Sequence, residues 1–188
     1  MPHFLVSGIG ELAAKVAGEL RENGGTAVEV DDIGDVPRAC VEAGAAAFDG
    51  YVQLPATFTV SGSNAVDRIH HFFSDGVLAR FPAMTAALPA LRPSARLTFV
   101  MGVLPPEVST EDDVAARAAL VRVLGHAARA DGPEDLRVSV LGSGASPQEI
   151  ALTALGRNPE WEALTAGFSG GSYADWRVEL LGMMSAEM

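Results

Sequence analysis

The chain alternates short apolar runs with longer stretches whose apolar residues recur every three to four positions. Phe4-Leu5-Val6, ended by Gly8 and Gly10, reads as a buried strand. Residues 11–22 carry Leu12, Val16 and Leu20 four apart with Ala13 and Ala17 beside them. That is a helical stripe, and Asn23-Gly24-Gly25 stops it. Residues 26–30 form a second predicted strand that ends at Asp31-Asp32. A short helix is expected over 37–47 with Asp35 near its N-cap. Asp49-Gly50 then turns the chain into a third strand over 51–54.

Residues 55–63 read as a polar loop. Ser63 or Asn64 caps a long helix expected to run to about Leu91, with Pro82 as its kink or break. Pro93-Ser94 turns into a strand over 96–101. A loop holding Pro105-Pro106 precedes Thr110, which caps a helix over about 111–130 with Glu111, Asp112 and Asp113 in its first turn, where the helix dipole favours acids. A strand over 136–141, a glycine-containing loop and a helix over 147–155 follow. Beyond Gly156 the pattern is ambiguous, and residues 173–181 fit either a strand or a helix. Strand and helix alternate throughout, with no internal repeat and no linker. That pattern predicts one α/β domain over residues 1–188, a Rossmann-like, doubly wound parallel sheet covered on both faces.

Composition narrows the function. The 188 residues are 48% hydrophobic and 20% charged, a globular balance, and the formal net charge is −11. Lys15 is the only lysine and no basic cluster occurs. Nucleic acid and anionic membrane surfaces, which need such a cluster, are therefore not expected partners. Cys40 is the single cysteine, so no internal disulfide can form; an inert, part-buried thiol in a reducing cytoplasm is the expectation. Residues 1–10 do not read as a signal peptide, and no run reaches the ~20 apolar residues of a membrane span.

Gly8-Ile9-Gly10-Glu11-Leu12-Ala13 fits the G-x-G-x-x-[G/A] fingerprint between a strand and a helix. The first glycine permits the tight turn, the second lets a pyrophosphate approach the helix end, and the third small residue packs helix on strand. Asp31 and Asp32, a little over 20 residues on, can hydrogen-bond a ribose hydroxyl and would repel a 2′-phosphate, favouring NAD over NADP. Gly8, Ile9, Gly10, Asp31 and Asp32 are thus the candidate cofactor residues, with NAD(H) as the candidate cofactor. The plainer reading is a sharp turn that needs glycine and binds nothing.

Several segments together resemble the short-chain dehydrogenase/reductase family. Residues 6–32 look like its first strand-helix-strand, and Asp49-Gly50-Tyr51-Val52 like the approach to its fourth strand. Residues 83–101, with Ala87-Leu88-Pro89 and Leu97-Thr98-Phe99-Val100, look like the long helix and the strand leading to the catalytic serine. Residues 113–144 look like the catalytic helix and its following strand. Pro147-Gln148-Glu149-Ile150-Ala151 resembles a later helix, and the resemblance covers about three quarters of the chain.

The departures are specific. The glycine loop is about three residues shorter than the family's, and the family's Asn-Asn-Ala-Gly falls on Gln53-Leu54-Pro55-Ala56. The tyrosine, lysine, serine and asparagine that carry the family's reaction fall on Asp113, Arg117, Gly102 and Phe73. The two tyrosines, Tyr51 and Tyr173, lie elsewhere with no lysine four residues on, and Pro147 follows Gly144 at once, where the family has a substrate lid. The resemblance therefore implies a scaffold shortened at its C-terminal end, with no catalytic residues to transfer.

Other groups offer little chemistry. Asp113 and Arg117 share a helix face and read as a surface ion pair of a few tenths of a kcal/mol. His70 and His71 point about 100° apart on a helix, and no third ligand stands at useful spacing, so no metal site is expected. Glu107 lies near the ligand-binding edge of the expected sheet. Phe72, Phe73, Leu78, Phe81 and Met84 make one helix heavily apolar, and the helix over 111–130 is rich in alanine and valine. In the family these two helices form the dimer interface. A homodimer, or a hetero-oligomer with an active dehydrogenase/reductase through helices 64–91 and 111–130, is one expectation; simple coverage of this chain's own sheet is the other.

The functional expectation is a catalytically degenerate, dehydrogenase/reductase-like protein serving as a non-catalytic subunit or partner of an active enzyme. A divergent NAD(P)-dependent oxidoreductase and a nucleotide-binding sensor without turnover are the alternatives.

Overall fold

In β1 (His3–Ser7) successive side chains point to opposite faces, so Phe4 and Val6 enter one core and Leu5 the other. The same alternation splits Tyr51 from Val52 in β3 (Phe48–Gln53). Two apolar faces on one strand require helices on both sides. The computed structural model describes residues 1–8, 10–55, 62–71, 74, 78–101, 120–121, 123–125, 127–142 and 144–158. Five strands, with β2 (Thr26–Val30), β4 (Leu91–Val100) and β5 (Arg137–Leu141), form one all-parallel sheet in the order β2-β1-β3-β4-β5. Helices α1 (Glu11–Glu22) and α6 (Pro147–Ala154) cover the face of Phe4, Val6, Val52, Val100 and Leu141. Helices α2 (Val36–Ala43), α4 (Arg80–Ala87) and α5 (described between 120 and 131) cover the face of Leu5, Tyr51, Leu97, Phe99 and Val138. This is the expected doubly wound architecture.

The order matches the dinucleotide-binding arrangement 3-2-1-4-5-6 with its outermost first-half strand left out. The chain runs from β2 through α2 directly across β1 to β3. As a result β2 is an edge strand. Arg21 lies over that edge, donating through Nη2 to the Ala27 carbonyl (3.2 Å) and to Glu29 Oε1 (2.7 Å). A charged pair along an edge discourages strand addition by another chain.

The helix expected over 64–91 is two helices. α3 (Ala65–His71) starts where Asn64 Oδ1 accepts the Asp67 N–H at 2.9 Å, as the cap signal predicted. The break precedes Arg80 and is not at Pro82. The Ala79 N–H reaches the Ser74 carbonyl (3.1 Å), a five-residue π-type step. Pro82 sits in the first turn of α4, where its missing N–H costs no helical bond. A 3₁₀ turn (Leu88–Ala90) ends this region, and β4 starts at Leu91, well before the expected strand start at 96. Pro93-Ser94 is accommodated within β4, where Ser94 has φ 61° and its N–H donates to the Glu134 carbonyl. Asp35 precedes α2 without a side-chain cap bond, while Asp32 caps the 3₁₀ turn Ile33–Asp35. Ser146 caps α6 through the Glu149 N–H (3.1 Å). The ambiguous segment 173–181 lies outside the described residues.

Among the described residues no helix is long and apolar enough to cross a membrane. Cys40 is buried, and burial pushes its thiol pKa up, which suits an inert packing role.

Candidate functional site

The sheet order places β1 beside β3, while the connections that leave them go to opposite faces. Open α/β sheets bind ligands in the crevice that this divergence creates at the carboxyl ends of the strands.

One wall of the crevice is the turn from β1 into α1. Its backbone is held from both neighbours: the Gly8 N–H donates to the Val30 carbonyl (3.0 Å), and the Leu54 N–H donates to the Ser7 carbonyl (2.8 Å). Gly8 has φ +155°, and a Cβ there would lie 2.6 Å from the Leu54 Cβ. Its glycine is therefore demanded by Leu54, a buried residue of the segment after β3, whatever else binds. Gly10 differs. It caps α1 at φ 79°, ψ −150°, a glycine-only conformation, and a Cβ there would meet nothing within 4 Å. Ala13 is buried and packs α1 on the sheet, as the fingerprint requires.

No side chain caps the first turn of α1. Glu11 stands in that turn and pairs with Lys15 at 2.7 Å; the hydrogen bond and charge of Lys15 hold its carboxyl below the usual value. The pair is exposed, and Lys15 counters the Glu11 charge beside the start of α1. Asp31 and Asp32 are both exposed at the end of β2, and Asp32 Oδ1 already accepts the Gly34 N–H at 2.8 Å. Ile9 lies outside the described residues. So do Phe73, Gly102, Glu107, Asp113 and Arg117.

The second wall is a polar seam that the sequence reading passed over. Ser7, Tyr51 and Gln53 occupy one face of β1 and β3, all wholly buried, and Arg80 at the start of α4 is nearly so. The Arg80 carbonyl accepts from Gln53 Nε2 (3.2 Å). A carbonyl only accepts, so this contact identifies the amide nitrogen of Gln53. The same Nε2 donates to the Tyr51 hydroxyl (3.2 Å), which in turn shares a hydrogen bond with Ser7 Oγ (2.8 Å). Arg80 Nη2 donates to the Val100 carbonyl at 2.7 Å and ties α4 to the end of β4. Gln53 Oε1 has no hydrogen-bond partner among the described residues. Thr98 Oγ1, in register with Val52 on the opposite face, also has none. Leaving such an acceptor buried and unpaired costs about 1–3 kcal/mol.

Burial pushes the Tyr51 phenol up to about 12, with the Ser7 and Gln53 hydrogen bonds and the Arg80 charge acting against that shift. Tyr51 is therefore neutral at every physiological pH and has no path to solvent. The signal for the seam was present in the sequence: two polar residues two apart, Tyr51 and Gln53, inside an otherwise apolar strand. Spacing put them on one face, but nothing in the sequence paired them with Ser7 and Arg80.

Some described residues of the two helices offered as an interface face this chain's own core. Met84, Val121, Leu124 and Ala128 are buried against the chain's own sheet, and Phe81 packs partly on the same core. Leu78 (51% exposed) and Val66 (75%) remain at the surface. The rings of His70 and His71 sit 5.7 Å apart at 73°. Among the described residues no group of three or more His, Cys, Asp or Glu could hold a metal ion.

With this geometry in view, solved structures give a consistent comparison. A short-chain dehydrogenase/reductase from Serratia marcescens superposes with a TM-score of 0.63 at 16% identity, over 87% of this chain and 93% of that one. The chain has the short-chain dehydrogenase/reductase fold. BdcA in complex with NADPH matches with a TM-score of 0.58 at 18% identity, covering 87% of this chain and 90% of that one. A small-chain dehydrogenase matches at 0.62 and 19% identity, over 83% and 89%. No protein-family model matches the sequence, and no curated protein matches it. Identities this low carry the dehydrogenase/reductase fold and not its chemistry.

Proposed function

We propose that this chain is a non-catalytic protein on a dehydrogenase/reductase fold, acting as a subunit or partner of an active enzyme of that fold. The observation that carries the reading is Tyr51. The fold's reaction uses a tyrosine acid/base. The one tyrosine among the described residues is wholly buried, bonded to Ser7 and Gln53, and raised to about 12. A proton donor sealed from solvent with that pKa cannot serve a substrate near neutral pH. The positions that resemble the family's catalytic four, Phe73, Gly102, Asp113 and Arg117, supply no replacement tyrosine or lysine. Leu78 and Val66 are the described apolar residues left for a partner on the first of the two candidate helices. The test is affinity co-purification from the native cell together with sedimentation of the pure chain. A stoichiometric dehydrogenase/reductase partner or a homodimer is expected, with no NADH- or NADPH-dependent turnover of a carbonyl panel. Saturable turnover by the pure chain would sink the reading.

A nucleotide-binding sensor is the second reading, favoured by the open space beside Gly10 and by BdcA, a neighbour of the same fold seen with NADPH. Glu11 weighs against it only in part, because Lys15 counters its carboxylate in the first turn of α1. Gly10 is a poor handle, since any side chain at its φ and ψ is strained. Titration of NADH and NADPH into the wild type and into Glu11→Gln and Asp31→Ala avoids that problem. Binding that tightens with Glu11→Gln and weakens with Asp31→Ala supports the sensor; no heat in any of the three removes it.

A further inference from the structure

We propose that Asn23-Gly24, in the turn from α1 into β2, is a self-modification site: opening of the α1 C-cap lets Asn23 deamidate, and the carboxylate that results keeps the cap from re-forming. The chemistry belongs to the dipeptide. The Gly24 backbone nitrogen gives its proton to a base and attacks the Asn23 Cγ. The Cγ–Nδ2 bond breaks, ammonia leaves, and a cyclic imide forms. Water then opens the ring at either carbonyl and leaves aspartate or isoaspartate. The net change is one water consumed and one ammonia released, with no oxidant and no enzyme. Of the three asparagines, Asn23, Asn64 and Asn158, only Asn23 precedes a glycine, which brings no side chain to hinder the attack. Asn23 is half-buried and Gly24 exposed, so base and water reach the pair.

The folded cap holds the reaction off in three ways. The Gly24 N–H donates to the Arg21 carbonyl (3.1 Å), so the attacking nitrogen is engaged. Asn23 Nδ2 donates to the Glu19 carbonyl (2.8 Å), which turns the amide back along the helix. The Asn23 ψ is 19°, whereas ring closure needs a backbone turned so that the Gly24 nitrogen meets the Cγ. Once the reaction has run, the cap cannot return. A carboxylate at position 23 has no N–H for the Glu19 carbonyl, and it stands at the negative end of the α1 dipole with Glu19 and Glu22 in the last turn. Isoaspartate also adds a main-chain atom just before Gly25. There the Gly25 N–H reaches the Leu20 carbonyl (2.8 Å), and a Cβ would already meet that carbonyl at 3.1 Å. Thr26 next begins the pairing of β2 with β1, so the modification loosens the edge strand that leads to Asp31 and Asp32.

The full-length chain would be incubated at mildly alkaline pH, native and in urea, and its asparagines followed by peptide mapping with mass spectrometry. Asn23 should convert before Asn64 and Asn158 in both, and at least about tenfold more slowly in the native chain, because the open cap is a minority state. In Asn23→Asp, hydrogen exchange at the Gly24 and Gly25 amides should quicken by about 3–10-fold, from the lost donor and the charge at the helix end. Asn23→Gln, whose longer side chain closes the ring far less readily, should stay unmodified and keep slow exchange. Equal Asn23 rates in the native and urea-treated chain overturn the gating. Earlier conversion of Asn64 or Asn158 overturns the site, and unchanged exchange in Asn23→Asp overturns the lock. Should Asn23→Asp not fold, exchange in the partly deamidated wild type reads the same effect.

Discussion

Gly8 and Gly10 look equivalent in the fingerprint, yet they are glycines for different reasons. At Gly8 a methyl group would meet Leu54 at 2.6 Å on a backbone that already disfavours side chains. Gly8→Ala should therefore destabilise the chain by about 2 kcal/mol or more, read as a lower denaturation midpoint, and Leu54→Ala in the same chain should recover part of the loss. Gly10→Ala carries backbone strain alone, on the order of 1–3 kcal/mol, and Leu54→Ala should recover none of it. Tyr51 gives a pH signature. Its folded pKa of about 12 lies above the ordinary value of 10, so the native state holds the proton more tightly than the unfolded chain does. The corresponding stability is present below pH 10 and lost as pH rises towards 12, with a slope of at most roughly 1.4 kcal/mol per pH unit. Urea melts at pH 8, 10 and 11 should show this fall in the wild type and a shallower one in Tyr51→Phe. Parallel curves would mean that the phenol is not sealed.

Among the elements, α1 and α4 show how local sequence and tertiary context divide the work. α1 reads cleanly because Val16 and Leu20 repeat at helical spacing and Asn23-Gly24-Gly25 stops it. Gly18 inside it meets nothing within 4 Å where a Cβ would go. Gly18→Ala should raise stability by about 0.5–1 kcal/mol, seen as a higher Tm, because alanine loses less backbone entropy in a helix. α4 reads poorly. Its start is fixed by contacts remote in sequence: Arg80 through its guanidinium to Val100 and through its carbonyl to Gln53. Pro82 invited a break that the helix avoids by placing it in the first turn. Replacing Arg80 by Met should cost about 1–3 kcal/mol by leaving buried groups unpaired. It should also broaden the amide resonances of Gln53 and Val100, which a purely local helix effect would leave sharp.

For the whole molecule, strand–helix alternation foretold a doubly wound parallel sheet, and the dehydrogenase/reductase resemblance agrees with the fold seen in solved structures. Of the two readings of the apolar helices, the described residues bear on one. Met84, Val121, Leu124 and Ala128, apolar at helical spacing, turn out to cover this chain's own sheet. Apolar periodicity reports that a face is buried and is silent on what buries it. If a partner docks on the remaining surface, Leu78→Glu should shift sedimentation towards the monomer while changing stability by no more than about 0.5 kcal/mol. An unchanged oligomer would place the interface elsewhere.

The sequence by itself determined the fold class, the glycine turn and the ends of α1 and α6, and it holds no run of basic residues. All of these depend on residue type and near-neighbour spacing, which are local properties. Only the tertiary structure decided that Leu54 demands Gly8, that Tyr51 is sealed, and that Ser7, Gln53 and Arg80 meet at one edge of the sheet. Those facts join residues up to 73 positions apart, counted from Ser7 to Arg80. The crossing from β2 over β1 to β3 brings them together, and no local pattern encodes that crossing.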